Sequence, residues 1–403
     1  GQRIAYAYDA LNRETGETWY NAAGASVNTV TFTYDPNSNL LTAANTTATN
    51  TMAYDALDRK TAVQDPFGAV LTYSYDAADN RTQMQDSFGA TTTRVYDALN
   101  RTTTMTFGGT GQTPLREDFT YTARDQVATQ TRYSDLAGTT TIGYSTYGYD
   151  AVARLTNLQH QNGAGGNIAN YANGYDLASR IASETLNGGA PTPYGYDATN
   201  ELTSDGVATY SYDLNGNRTM AGYTTGQANE LTGDGTRQYY YDANGNRIAA
   251  TNRGAGPGSG LPSALPFPLG TAGAAGGGVW NYGYDNRNRL VSAQEVTSAG
   301  VQVQATYVYD AQGRRIEKDV TQGGVTTTTR FAYDGSEIWA DLNSSNALVT
   351  RYIRGGRVLE LLARVTSGGA EAWLLADRMG TVRDLVDATG AVLDTITYDG
   401  YGN

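Results

Sequence analysis

The chain has 403 residues, with 28 Lys and Arg against 40 Asp and Glu, a net charge of −12, one histidine and no cysteine. That balance argues against nucleic acid or an anionic membrane as partner, because both reward clustered cations, and the missing thiols exclude a disulfide framework and a thiolate metal site. No apolar run reaches the roughly eighteen residues of a membrane-spanning helix, and a composition rich in Tyr (31) and Gly (48) but only 17% charged predicts strands and turns over helices, an all-β chain.

Extended runs alternate with turns from the start. In residues 70–75, Leu71, Tyr73 and Tyr75 share one face and Val70, Thr72 and Ser74 the other, the two-residue period of a strand. The run stops at Asp76, a second begins at Arg81, and Asp86-Ser87-Phe88-Gly89 turns the chain into a third that ends at Tyr96-Asp97. Each unit reads as a β-hairpin. Asp after the aromatic suits a turn, since its carboxylate can accept the backbone N–H two residues on, and the Asn or Gly near the turn's end tolerates positive φ.

Residues 1–107 carry five such units, at Tyr8-Asp9, Tyr34-Asp35, Tyr54-Asp55, Tyr75-Asp76 and Tyr96-Asp97, and the step from Tyr54 to Tyr75 to Tyr96 is 21 residues each time. From Gly108 to Gly148 the spacing loosens around a degenerate copy at Tyr121, and Tyr149-Asp150 resumes it. Tyr175-Asp176, Tyr196-Asp197 and Tyr212-Asp213 follow. Two Asn-Gly turns, at Asn215-Gly216 and, after Tyr241-Asp242, at Asn244-Gly245, are strong hairpin signals. Residues 253–278 break the pattern with Gly and Pro, and Leu261, Leu265, Phe267 and Leu269 predict an insertion packed on the sheet, not a domain boundary. Tyr284-Asp285, Tyr309-Asp310 and Tyr333-Asp334 continue the array to residue 336. After it, 337–403 changes texture through Asp377-Arg378-Met379-Gly380-Thr381-Val382-Arg383 and closes on Tyr398-Asp399. A period in the twenties means stacked supersecondary units, none of which buries a face alone.

These repeats, with their Tyr-Asp-x-x-(Gly/Asn)-Arg turns, resemble the YD repeats of Rhs proteins, and residues 337–403 resemble a truncated Rhs-associated core. The resemblance spans essentially the whole chain. It implies a spiral array of antiparallel hairpins, a partial shell or solenoid-like wall, and places the chain among relatives that include polymorphic toxins, insecticidal toxin complexes, wall-associated proteins and teneurins. The self-cleaving segment of the toxin branch would lie beyond residue 403, so no protease residue is carried over, and Asp377, Asp384 and Asp387 are given no such role. The chain opens at Gly1 without Met or an apolar leader, and an excerpt of a longer polypeptide is expected, with any signal outside it.

Weighed against chemistry, the residues favour structure. His160 is the sole histidine and is expected on the surface or in a turn; zinc would lack ligands. The Asp213 and Asp242 turns have the look of oxygen-ligand calcium loops, but Thr224 and Arg253 stand where a bidentate Glu is needed. No cofactor, catalytic or metal residue is assigned. The Tyr residues are expected to stack on one another across hairpins. The expected role is a non-enzymatic shell segment of a secreted or cell-surface protein, enclosing a C-terminal cargo. The alternatives are an extracellular adhesive module without cargo and, more distantly, a carbohydrate-acting enzyme. Expected partners are the remaining repeats or cargo of the parent polypeptide, other copies meeting at the unpaired edge strands, and surface glycans.

Overall fold

The computed structural model describes residues 2–252, 278–356, 360–399 and 401–402. The expected docking of Leu261, Leu265, Phe267 and Leu269 lies outside the described residues. Among the described residues there is no α-helix, and one 3-10 turn, Gln227–Asn229, stands in a chain otherwise made of strands and turns.

The strands pair antiparallel with their sequence neighbours. Val70–Tyr75 pairs with Arg81–Asp86, which pairs with Thr91–Tyr96, which pairs with Thr102–Gly108. Burial follows the two-residue period: along Val70–Tyr75, Leu71 and Tyr73 are buried while Thr72 and Ser74 are exposed. The register slips by one residue beside the repeat tyrosine, between Ser74 and Tyr75 and again at Gly148/Tyr149 and Gly283/Tyr284. Such a bulge follows from the turn, because the residue at its fourth position takes positive φ: Asn12 (58°), Asp79 (65°), Asn100 (59°) and Asn288 (58°).

The two Asn-Gly sites use this same turn. Gly216 (80°) and Gly245 (79°) occupy the positive-φ position and the Asn before each does not, so neither forms the two-residue loop that Asn-Gly favours. After Tyr212 the hairpin shrinks to one bridge, Tyr212 to Arg218.

Two compact units emerge, each joining early and late parts of the chain. The first comprises Gly1–Thr51, Tyr210–Phe331 and Asn343–Ser345; the second, Met52–Thr209, Ala332–Leu342 and Asn346–Asn403. In the first, Trp19, Val30 and Ala43 pack against Ala311. In the second, Met105, Phe107, Leu115 and Ile142 pack against Ile353, Val365, Trp373 and Leu375. Fully burying each of the larger side chains is worth about 1.5–3 kcal/mol.

Late turns seat on early hairpins within each unit. In the first, Asn286 Nδ2 donates to the Tyr20 carbonyl (2.9 Å), and Asn45 Nδ2 to that of Tyr309 (2.8 Å). In the second, Arg351 binds Asp86 and Thr113 Oγ1 donates to the Gly369 carbonyl. Gly390 has φ 80° and lies so close to the Ile142 carbonyl that a Cβ would have no room.

Hairpins continue through 337–395, from Glu337–Leu342 to Val392–Thr395. The last is a sheet edge with all four residues exposed.

Candidate functional site

The repeat motif builds one local device many times. In Asp97-Ala98-Leu99-Asn100-Arg101, the Asp97 N–H donates to the Arg101 carbonyl and the Asn100 N–H to the Asp97 carbonyl, each at 3.0 Å. Asp97 Oδ1 accepts the N–H groups of Leu99 (2.9 Å) and Arg101 (3.0 Å), and Oδ2 accepts Arg101 Nε at 2.7 Å. One carboxylate thus satisfies two turn amides and a guanidinium. The Arg101 side chain and these amides hold the Asp97 carboxyl below the usual carboxylate range. The same set recurs at Asp9, Asp55, Asp150, Asp176 and Asp285. Where Asn replaces Arg, its Nδ2 takes the guanidinium's place, as from Asn80 to Asp76 (2.9 Å) and Asn246 to Asp242 (3.0 Å).

The Arg also reaches the next repeat. Arg59 Nη1 donates to the Asp76 carbonyl at 3.0 Å, and its guanidinium lies 4.9 Å from the Tyr75 ring centre. Arg13 over Tyr34, Arg154 over Tyr175, Arg180 over Tyr196 and Arg289 over Tyr309 repeat this at 4.5–4.8 Å. The tyrosine answers in the other direction, donating its hydroxyl to the first backbone carbonyl after the preceding turn. Tyr34 bonds Glu14 (2.8 Å), Tyr75 bonds Lys60 (2.7 Å), Tyr96 bonds Arg81 (2.9 Å), Tyr175 bonds Leu155 (2.8 Å), Tyr284 bonds Arg247 (2.8 Å) and Tyr309 bonds Leu290 (2.8 Å). Where the turn carries Arg, as at Arg59, the junction is a two-way rung, phenol to carbonyl one way and guanidinium to ring the other; where it carries Asn, as at Asn80 and Asn246, the phenol bond is made without the cation.

This differs from the stacking of tyrosines on each other expected from the sequence. The repeat tyrosines are mostly half-buried, and Tyr34, Tyr75, Tyr175 and Tyr309 lie beneath arginines, because a ring pinned by its hydroxyl to a neighbouring strand offers its face to the cation that the turn aspartate has already aimed. The signal was in the sequence, as Arg or Asn four residues after twelve of the fourteen repeat Asp residues, Asp197 (with Glu201) and Asp334 (with Ile338) being the exceptions.

Some motif residues serve elsewhere. Asp334 accepts the Tyr73 hydroxyl (2.8 Å) and Arg81 Nη1 (2.7 Å). Asp310 caps its own turn and also accepts Asn50 Nδ2 at 3.1 Å, with its side chain fully buried. Tyr8 is 59% exposed, and Tyr398 lies 5.7 Å from the Arg383 guanidinium. At Asp213 the carboxylate is taken up by the Asn215 and Asn217 amides and Asn217 Nδ2, leaving a tight turn in place of a cation loop.

His160 is buried, contrary to the surface or turn position expected from its Gly-rich surroundings. It sits on the strand Leu155–Asn162 with Ser145 as its register partner. Nε2 lies 3.0 Å from the Ala376 carbonyl and so carries the proton; Nδ1 accepts from Ser145 Oγ at 2.7 Å, and Oγ accepts from Arg132 Nη1 at 3.0 Å. Burial and the Arg132 charge push the imidazole down to about 4. A serine bonded to a histidine has the outline of a nucleophile, but Ser145 is 0% exposed. In the adjoining strand pair Glu117 faces Arg132, and burial pushes its carboxyl up to about 8.

Taken together, these elements define a repeat protein whose unit is an Asp-capped β-hairpin, rung-linked to its neighbours. Residues 54–91, two of its most regular units, match the RHS Repeat family. Over those residues the chain is similar to the Rhs repeat, and its other Tyr-Asp units follow the same pattern. No curated protein matches the sequence. Among solved structures, the fold is similar over 100% of this chain to part of the Photorhabdus luminescens Tc holotoxin pore carrying a TccC3 mutation (TM-score 0.69, 15% identity). It is similar in the same way to TcdB2-TccC3-Cdc42 (0.68, 15%) and to TcdB2-TccC3 without its hypervariable C-terminal region (0.58, 13%). The chain spans 22–23% of the length of those chains.

Proposed function

We propose that this chain is a non-enzymatic wall segment of a larger secreted or cell-surface protein, in which rung-linked hairpins shield a C-terminal cargo. The observation that carries the reading is the rung itself. Side chains that would be free to act on a substrate, Asp, Arg and Tyr, are instead spent satisfying turn amides and neighbouring carbonyls along the array. On this reading 1–336 is the repeat array and 337–403 the beginning of an associated core that leads toward the cargo. The likeness to toxin-complex chains several times longer supports a role as part of an assembly.

The test is limited proteolysis of the parent polypeptide. Its region downstream of residue 403 is expected to resist trypsin under native conditions and to become sensitive when the wall is unfolded. Cleavage of that region at the rate of the same segment expressed alone would overturn the shielding role.

A further inference from the structure

Among the described residues, the ladder of rungs is broken at the Tyr196 junction of the second unit. By the rule that joins Tyr175 to Leu155, the Tyr196 hydroxyl belongs on the Ile181 carbonyl, and among the described residues that bond is not made. The strand Ile181–Leu186 pairs with Thr192–Pro193 over two positions, Ser183 to Pro193 and Glu184 to Thr192. After the Tyr194 N–H bonds the Ala182 carbonyl (2.9 Å), the chain leaves the sheet. Gly195–Tyr196 pairs instead with Leu202–Ser204 as a separate two-stranded piece. Pro193 stands opposite Ser183 in the non-hydrogen-bonded pair, so its missing N–H faces away from this ladder and leaves the bond of Tyr194 intact. Arg180 spans the rim, donating to Asn200 Oδ1 at 2.8 Å and lying over Tyr196.

The opening is a cleft of about 600 Å³ lined by Tyr175, Arg180, Ile181, Tyr196, Arg378 and Met379. Arg378 comes from the Asp377–Thr381 turn and is only partly satisfied. Its Nε is buried without a hydrogen-bond partner, its Nη1 reaches only the Met379 sulfur, and the nearest carboxylate, Glu184, is 3.9 Å away. Burial pushes that Glu184 carboxyl up, which weakens it as a counter-charge. Met379 is 70% exposed at the mouth. A guanidinium short of acceptors, two phenol rings and an unpaired strand edge together match a carboxylate carried on extended backbone.

We propose that this cleft binds an acidic peptide in extended form, its carboxylate on Arg378, its flanking side chains between Tyr175 and Tyr196, and its backbone along the free edge of Gly195–Tyr196. The site is independent of the shielding role, and its opposite charge stands out on a chain of net charge −12.

The probe is a fluorescein-labelled hexapeptide of alternating Thr and Val with one central Glu, titrated by anisotropy, alongside its Gln counterpart. The Glu peptide is expected to saturate in the sub-millimolar range and the Gln peptide to bind about tenfold more weakly, the difference one charge-assisted contact provides. Arg378→Gln should erase that preference, and Met379→Glu should weaken the Glu peptide by placing a like charge at the mouth. Arg124→Gln, on a distant turn, should change nothing; far-UV circular dichroism and Tm establish that the variants are folded. Equal binding of the two peptides, or an unchanged preference in folded Arg378→Gln, would overturn the site. Displacement of the peptide by equimolar inorganic phosphate would reduce it to a simple anion pocket and overturn the peptide assignment.

Discussion

Arg59 holds Asp55 of its own turn through Nε at 2.8 Å while its guanidinium covers the ring of Tyr75 in the following repeat at 4.9 Å. One side chain thereby closes a turn and fastens it to the next. Tyr75 returns the link through its hydroxyl to the Lys60 carbonyl. Stability in such an array is a sum of unit and neighbour terms, so each rung can be weighed singly.

Tyr75→Phe keeps the ring under Arg59 and removes only the hydroxyl. The half-buried Lys60 carbonyl then loses its donor, at a cost of about 1 kcal/mol. The urea midpoint should fall with an unchanged m-value. A variant as stable as the parent would show that the phenol bond contributes nothing net.

The pair Asp86–Arg351 is nearly fully buried, its side chains 5% and 4% exposed, and Arg351 also reaches Gln112 Oε1 (2.8 Å) and the Phe88 carbonyl (3.0 Å). Asp86→Ala strands a buried cation and should destabilise by about 3–5 kcal/mol, whereas Asp86→Leu combined with Arg351→Met should cost clearly less than the two single changes summed. Additive losses in a denaturation-based double-mutant cycle would argue that the two side chains are not coupled.

Acid and base act on opposite partners of the buried polar row. His160 titrates near 4 when folded against 6.5 when unfolded, so its contribution is complete above 6.5 and is lost as pH falls toward 4. Glu117 titrates near 8 when folded against 4.5 when unfolded, so its contribution is best below 4.5 and declines as pH rises to 8. His160→Gln should flatten the acidic limb of the stability profile and Glu117→Gln the limb between 4.5 and 8. As the only histidine, His160 gives a single imidazole resonance, and a midpoint near 6.5 would contradict its burial.

Ala153 occupies the positive-φ position that Asn, Asp, Ser or Gly fills in other repeats, at φ 69° and exposed. A Cβ in that region is strained. Ala153→Gly should therefore raise stability by up to about 1 kcal/mol, the strain relieved outweighing the backbone entropy glycine adds to the unfolded chain. A lower Tm would mean that this turn carries no strain.

The hairpin and its repetition were legible in the amino acids alone, because the turn is local chemistry. Asp97 acts on residues two and four places along, and the alternation of Leu71 and Tyr73 with Thr72 and Ser74 needs nothing beyond the strand's own period. The rung was there in latent form, as the Arg or Asn four residues after Asp, although the face that each tyrosine would offer depends on where the neighbouring hairpin lies. Pairings between distant parts came from the folded array instead: Asp86 with Arg351, Asn50 with Asp310, Tyr73 with Asp334, His160 with the Ala376 carbonyl. No local pattern marks those partners, since each contact is set by how early and late hairpins come together within a unit, a quantity accumulated over many strands. The broken rung at Tyr196 belongs to the same class. That the chain leaves the sheet after Tyr194 and opens a cleft faced by Arg378 follows from an encounter between segments far apart along the chain.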